Sequence, residues 1–253
     1  MFFSKKLIKY KNIYHCFFSK KNGFSKGIYK SLNCGPGSND DKENITKNLN
    51  FVTKKIGIKS ESLILMNQTH SNKVILINEN NKKDKIFNSD AIITNLKNIA
   101  LGVLTADCVP IILYDEKNQV VGCIHSGWKG GISGVIENTI NKFKEMNSEV
   151  KIIASVGPCI EKESYEVGKD FFEDFLKESE NNKNYFERLS ELKFLFNIRG
   201  YVNNKLKECG VSEIDNVKGN TFNDSDNFFS YRRAKKLGKP DYGRCISTIC
   251  LKT

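Results

Sequence analysis

One nearly continuous apolar segment, residues 99–114, constrains the fold of this chain more than any other feature. It is too short to span a bilayer, and only the TADC motif at 105–108 interrupts it. Such a pattern predicts two buried strands, 99–105 and 110–114. The turn DEKNQ follows, and the apolar residues 120–124 predict a returning strand, so we expect a β-hairpin.

The rest of the chain mixes strands and helices. We predict strands over 62–69, 73–77, 90–94, 151–156 and 246–251. Apolar side chains recur at three- and four-residue steps from Ile132 to Phe143, which is typical of an amphipathic helix, and similar spacings predict helices at 171–176 and 198–206. No repeat or proline-rich linker divides the chain, so we predict one domain over 1–253 with an α/β (mixed α+β) fold.

Composition narrows the functional classes. The net charge of +11 comes from lysines spread along the whole chain, which favours a solvated surface over a nucleic-acid-binding stripe. The first residues, MFFSKKLIKY, have the wrong charge order for a signal peptide. The eight cysteines are scattered and form no CxxC pair, so we predict buried thiols in a cytoplasmic protein rather than disulfides.

Polar residues in the apolar strands are the candidates for chemistry. Asp107 and Cys108 lie inside the 99–114 segment, and His125 ends the next predicted strand, where the hairpin can bring it beside Cys108. His70 lies in a turn between strands. Two histidines and one cysteine could hold a catalytic zinc with one open position for water. Their spacing matches no compact metal motif, so ordinary core and hydrogen-bonded roles stay open.

The HSGWKGG motif leads from His125 into the predicted helix. Its glycines, the helix N-terminus and Lys129 together could cradle a phosphate. It is neither a Walker loop nor a GxGxxG fingerprint. A glycine-rich turn that lets Trp128 pack explains the same residues equally well, and both interpretations stay open.

A second basic motif, FFSYRR, contains Arg232 and is followed by Arg244. Arginines bind phosphate or ribose hydroxyls, and aromatic rings stack on bases. The composition alone favours an exposed basic turn.

Together these segments resemble the YfiH-type (laccase-domain) family over nearly the whole chain. The matching segments are HCFFSKKNGFSKGIYKSLNCG, NQTHSNKV, SDAIIT, GVLTADCVPIILYD, HSGWKGG, GPCI with SYEVG, and FFSYRR with GRCIS. The resemblance implies layered mixed β-sheets flanked by helices and a zinc site on His70, Cys108 and His125. It also implies phosphorolysis of purine nucleosides (adenosine, guanosine or inosine, methylthioadenosine) and adenosine deamination.

The chain departs from the family pattern at two positions. Leu49 follows Asn48 where an arginine is common, and Lys20 replaces another usual arginine. Family members are also called multicopper laccases, but a coupled copper centre needs many imidazoles and this chain has three histidines. A single copper with Met66 as an axial ligand is a less favoured alternative to zinc.

We assign candidate roles on this basis. Asp107 is the candidate proton carrier, and Lys129, Arg232 and Arg244 are candidates for binding phosphate or ribose. An alternative is a cysteine hydrolase with Cys108 as nucleophile, His125 as its base, and Asp107 or His70 orienting that base. Another is editing of peptidoglycan precursors. We expect no nucleic-acid or membrane partner, and favour a monomer.

Overall fold

The computed structural model describes residues 1–84 and 87–253. Its strands are β1 (Ile13–Phe17), β2 (Leu63–Leu65), β3 (Val74–Ile77), β4 (Ala91–Thr94), β5 (Ala100–Thr105), β6 (Val109–Asp115), β7 (Val120–Ser126), β8 (Ile152–Val156), β9 (Glu166–Gly168), β10 (Phe186–Arg188), β11 (Lys193–Phe196), β12 (Glu213–Asn216) and β13 (Cys245–Leu251). Its α-helices are α1 (Lys42–Ile56), α2 (Trp128–Ile132), α3 (Val135–Met146), α4 (Lys169–Glu178), α5 (Ile198–Glu208) and α6 (Tyr231–Lys236).

These strands form three sheets. The largest has the order β12-β8-β6-β7-β4-β3, the second β1-β13-β5-β2, and the smallest β10-β11-β9. Parallel and antiparallel pairs both occur in the two larger sheets. The structure confirms a mixed α/β fold with sheets flanked by helices in a single domain.

Alternating side chains explain how the layers stack. On β6, Ile111 and Leu113 face a core shared with α3, α4 and α5. Their neighbours Ile112 and Tyr114 face a second core, filled from the other side by residues of the four-stranded sheet such as Leu101. The outer face of that four-stranded sheet packs on α1 in a third core. Strands buried on both faces account for the nearly continuous apolar runs of the sequence.

Most predicted elements are confirmed, with two corrections. The hairpin is present, because β6 and β7 pair antiparallel from Val109 with Ser126 to Asp115 with Val120. The strand predicted over 62–69 is wrong beyond Leu65, where the chain leaves the sheet. The helix predicted from Ile132 is interrupted at Gly134, whose φ of 91° separates α2 from α3.

α1 was not predicted from periodicity, although its ends follow sequence rules. The side chain of Asp41 accepts a hydrogen bond from the Glu43 N–H at the start, and Gly57 takes the left-handed conformation after the end. Across the described residues, each helix is too short or too polar to cross a bilayer.

Candidate metal centre and active site

The structure brings His70, Cys108 and His125 together. One ligand atom from each lies within 4.8 Å of the others. The Cys108 Sγ is 3.7 Å from His70 Nε2, and the two imidazole rings are 4.8 Å apart between centroids. This convergence of two nitrogens and one sulfur is compatible with a metal ion.

The site forms where the chain crosses between the two large sheets. Cys108 lies on the connection from β5 to β6, and His70 on the connection from β2 to β3, each of which leaves the four-stranded sheet for the six-stranded one. His125 is on β7, directly opposite Pro110 of β6. The hairpin register thus places the end of β7 beside Cys108, as the sequence predicted.

Sequence reasoning missed Asp90, the residue just before β4. Its side chain is fully buried, and Oδ1 is 2.7 Å from His125 Nδ1. Burial opposes its ionisation, but hydrogen bonds from His125 and Ser71 lower the pKa of Asp90 to about 2. The available signal was an acidic residue directly before a mostly apolar strand, at the start of DAIIT.

Gly127, in the turn after β7, is required by close packing against the site. A Cβ at this position would lie 2.5 Å from His70 Cδ2 and 3.1 Å from Cys108 Sγ. The glycine of the HSGWKGG motif therefore lets the backbone approach the two ligands, which neither of the earlier interpretations of this motif included.

The electrostatics of the site favour a thiolate. Burial opposes ionisation of Cys108, but the His125 and His70 imidazoles lower the pKa of its thiol to about 6. Burial likewise opposes a charged His125, but Cys108 and Asp90 raise the pKa of that imidazole. A thiolate beside two imidazoles fits zinc, which binds sulfur and nitrogen donors together.

Asp107 lies next to Cys108 but is engaged elsewhere. Its carboxylate accepts hydrogen bonds from Thr221 Oγ1 at 2.6 Å, Ser230 Oγ at 2.9 Å and the Arg232 N–H at 2.7 Å. Burial nevertheless raises the pKa of Asp107. These contacts anchor the start of α6, a role that the sequence did not suggest. Its part as a proton carrier stays a prediction.

The metal centre opens into a cavity of about 1250 Å³. Its walls include all three candidate metal ligands and the basic side chains of Lys129, Arg232 and Arg244. An aromatic group formed by Trp128, Tyr165 and Phe171 also lines it. Phe171 is the middle ring, 4.7 Å from Trp128 and 6.0 Å from Tyr165 between centroids. Lys129 Nζ lies 5.4 Å from the centre of the Trp128 ring.

The two arginines differ in their partners. Arg232 Nη1 donates to the Glu166 carbonyl at 2.8 Å. Arg244 stacks on Tyr242, with Cζ 4.5 Å from the ring centroid, and its Nη1 is buried without an acceptor among the described residues. Arg244 therefore has a buried guanidinium nitrogen that is free to donate at the cavity wall.

Lys20 and Leu49, the two departures from the family pattern, lie outside the group of residues that lines this cavity. Leu49 packs in the core beneath α1, and Lys20 Nζ sits 5.6 Å from the centre of the Phe229 ring. Asn48 is buried and donates to the Asn33 carbonyl and to Ser25 Oγ, so its role is to hold the N-terminal loops.

Comparisons with known proteins identify the family of this chain. A family model described as multi-copper polyphenol oxidoreductase laccase matches residues 14–252. A purine nucleoside phosphorylase of Rickettsia prowazekii is 30% identical over 244 residues, 96% of this chain and 98% of the relative. One of Rickettsia conorii is 33% identical over 195 residues, 77% of this chain and 80% of the relative.

A solved structure gives the same assignment. A Neisseria meningitidis protein of the family called DUF152 superposes with a TM-score of 0.86 at 30% identity, covering 96% of each chain. The resemblance found in the sequence is confirmed, and the chain belongs to the YfiH-type, laccase-domain family.

Proposed function

We propose that this protein is a zinc-dependent purine nucleoside phosphorylase that acts on adenosine, guanosine or inosine, and methylthioadenosine, and that it also deaminates adenosine. The observation that carries the proposal is the His70, Cys108 and His125 cluster in the wall of a cavity that also contains aromatic rings and cations. Relatives covering most of the chain are named purine nucleoside phosphorylases, which supports the substrate class. All eight cysteines are free thiols, which fits a cytoplasmic enzyme.

The cavity wall suits a nucleoside and an inorganic anion. Flat aromatic faces at Trp128, Tyr165 and Phe171 can pack against a purine ring. Arg244 is our candidate for phosphate, because a guanidinium with a free N–H can form charge-assisted hydrogen bonds to it. Lys129 and Arg232 add positive charge to the same cavity.

In phosphorolysis, a phosphate oxygen forms a bond to the ribose C1′, the glycosidic C–N bond breaks, and the purine leaves with a proton. In deamination, water adds to C6 of adenine and ammonia leaves. His70, Cys108 and His125 would hold the zinc ion, which supplies Lewis acidity when bound. Asp107 is the proposed proton carrier, because burial favours its protonated form at the cavity wall.

The family description, multi-copper polyphenol oxidoreductase laccase, suggests copper oxidation, which the residues support less well. Of the three histidines, all of which lie among the described residues, His70 and His125 reach the centre, whereas His15 is buried and accepts a hydrogen bond from the Ser4 N–H. Two imidazoles are too few for a coupled multicopper centre.

A cysteine hydrolase is a second candidate, and a specific observation favours it. The lowered pKa of Cys108 beside His125 is also what a nucleophilic thiol requires. Metal dependence separates the two functions, because a hydrolase would keep its activity after chelation.

The test is metal analysis and product analysis of one purified sample. We expect one zinc per chain, and release of free purine and ribose 1-phosphate from inosine only when phosphate is present. Adenosine should also yield ammonia. Cys108→Ala should lose zinc and activity, whereas Cys209→Ala, which removes another half-buried thiol, should keep both. Absence of purine and ammonia would refute the nucleoside assignment.

A further inference from the structure

Asp90 contacts both histidines of the candidate metal centre. Its Oδ1 accepts hydrogen bonds from His125 Nδ1 at 2.7 Å and from the backbone N–H of His70 at 3.0 Å. Because the carboxylate is fully buried, these contacts are not exchanged for water. A single side chain thus controls how two of the three ligand residues are held.

The second oxygen of Asp90 fixes the loop that carries His70. Oδ2 accepts from the Ser71 N–H at 2.6 Å, from Ser71 Oγ at 2.7 Å and from the Thr69 N–H at 3.2 Å. His70 has a φ of 60°, a left-handed conformation that is uncommon for a non-glycine residue. Three consecutive backbone N–H groups directed at one carboxylate hold the loop in this conformation.

We propose that Asp90 is the positioning residue of the metal centre, which fixes the His125 tautomer and the His70 loop before a metal ion binds. In the neutral imidazole of His125, the proton on Nδ1 is held against Oδ1 of Asp90, so Nε2 keeps its lone pair for the ion. The inference rests on the proposed metal centre and adds the residue that sets its affinity. Mutating a residue that hydrogen-bonds to a metal ligand typically lowers metal affinity about 10- to 100-fold.

Asp90→Asn is the sharpest variant, because it preserves the size of the side chain. With its NH₂ toward His125, the amide donates to Nδ1 and forces the proton onto Nε2, which blocks the metal-binding lone pair. With its NH₂ toward Ser71 and Thr69, it opposes two backbone donors. In both orientations zinc affinity, measured by competition with a chromogenic chelator, should fall about 10- to 100-fold.

Asp115→Asn is the matched control. Asp115 is also fully buried and also holds a loop, accepting from the Lys117 and Lys151 N–H groups at 3.1 and 3.0 Å, but it lies at the opposite end of β6. It should lower the midpoint of thermal unfolding and leave zinc affinity unchanged. Equal zinc affinity in Asp90→Asn and wild type would overturn the inference.

A measurement on the wild type decides the question even if Asp90→Asn does not fold. Three histidines make side-chain ¹⁵N NMR of the metal-free protein tractable. With His125 neutral, we expect its proton on Nδ1, and a proton on Nε2 alone would overturn the inference. A wild type that binds no zinc would instead refute the metal centre, while the tautomer still reports on Asp90.

Discussion

His15 and His125 both lie in strands, and only 3% and 4% of their surfaces are exposed. His15 accepts a hydrogen bond at Nε2 from the Ser4 N–H, 2.8 Å away, and burial lowers its pKa to about 4. Burial opposes the charge on His125 as well, but Cys108 and Asp90 outweigh it and raise the pKa. Similar burial therefore accompanies pKa shifts of opposite direction, and the neighbouring Cys108 and Asp90 make the difference.

The two regions use imidazole for different purposes. In the first, a neutral ring secures the N-terminal segment to β1, since the Ser4 N–H requires a lone pair on Nε2. In the second, the His125 ring lies between the Asp90 carboxylate and Cys108 at the candidate metal centre. Of these two buried histidines, the one in contact with a carboxylate and a cysteine is the one in the candidate metal centre.

Removing the imidazole of His125 or of His15 should give the largest difference between the two regions. His125→Ala should reduce zinc binding by more than about 100-fold, beyond the effect expected for an outer hydrogen-bond partner, because a direct ligand is lost. Phosphorolysis should fall with it. His15→Ala should bind zinc like the wild type, although it should be less stable. Zinc titration and inosine turnover measure both, and equal zinc loss in the two variants would contradict the distinction.

A substitution at Gly127 perturbs the region around His125 without removing a candidate metal ligand. Gly127→Ala places a methyl group against His70 and Cys108, where overpacking costs about 1–3 kcal/mol. We expect zinc affinity to fall about 10- to 100-fold, since this strain opposes the metal-bound arrangement. Gly168→Ala, which meets open space, is the control and should keep its zinc affinity. Unchanged affinity in Gly127→Ala would mean that the site relaxes freely.

The sequence predicted the parts of this architecture that depend on local pattern. The hairpin followed from the apolar run and its turn, and with it the proximity of Cys108 and His125. His70 was harder to place, because its position depends on two separate crossings between sheets. The sequence marked Asp90 only as an acidic residue before an apolar strand, because three of its partners are backbone N–H groups of a distant loop, which carry no residue-type signature.

The pH dependence of stability tests whether His15 is held neutral in the folded protein. Because the folded pKa of His15 is depressed to about 4, the unfolded chain binds more protons between about pH 6.5 and 4. The contribution of neutral His15 to the free energy of unfolding is complete above about pH 6.5 and is lost as the pH falls toward about 4. From about pH 7.5 to pH 5 the wild type should lose about 2 kcal/mol more than His15→Gln.

Urea denaturation of the metal-free proteins at both pH values gives these free energies. His15→Gln keeps an acceptor for Ser4 but does not titrate, and groups at the metal centre cancel in the difference. Identical pH dependence in the two proteins would show that His15 is not held neutral.

Ser4→Ala should have the smallest effect. Ser4 Oγ donates to Asp215 Oδ2 at 2.6 Å and accepts from the Leu7 N–H at 3.2 Å, and both contacts disappear with the hydroxyl. The hydrogen bond from the Ser4 N–H to His15 Nε2 remains, so we expect the free energy of unfolding to fall by about 1 kcal/mol. Zinc affinity should not change, because Asp215 holds the N-terminal segment and shares no hydrogen-bond partner with Asp90 among the described residues. A parallel fall in zinc affinity would show that the two buried polar clusters are coupled.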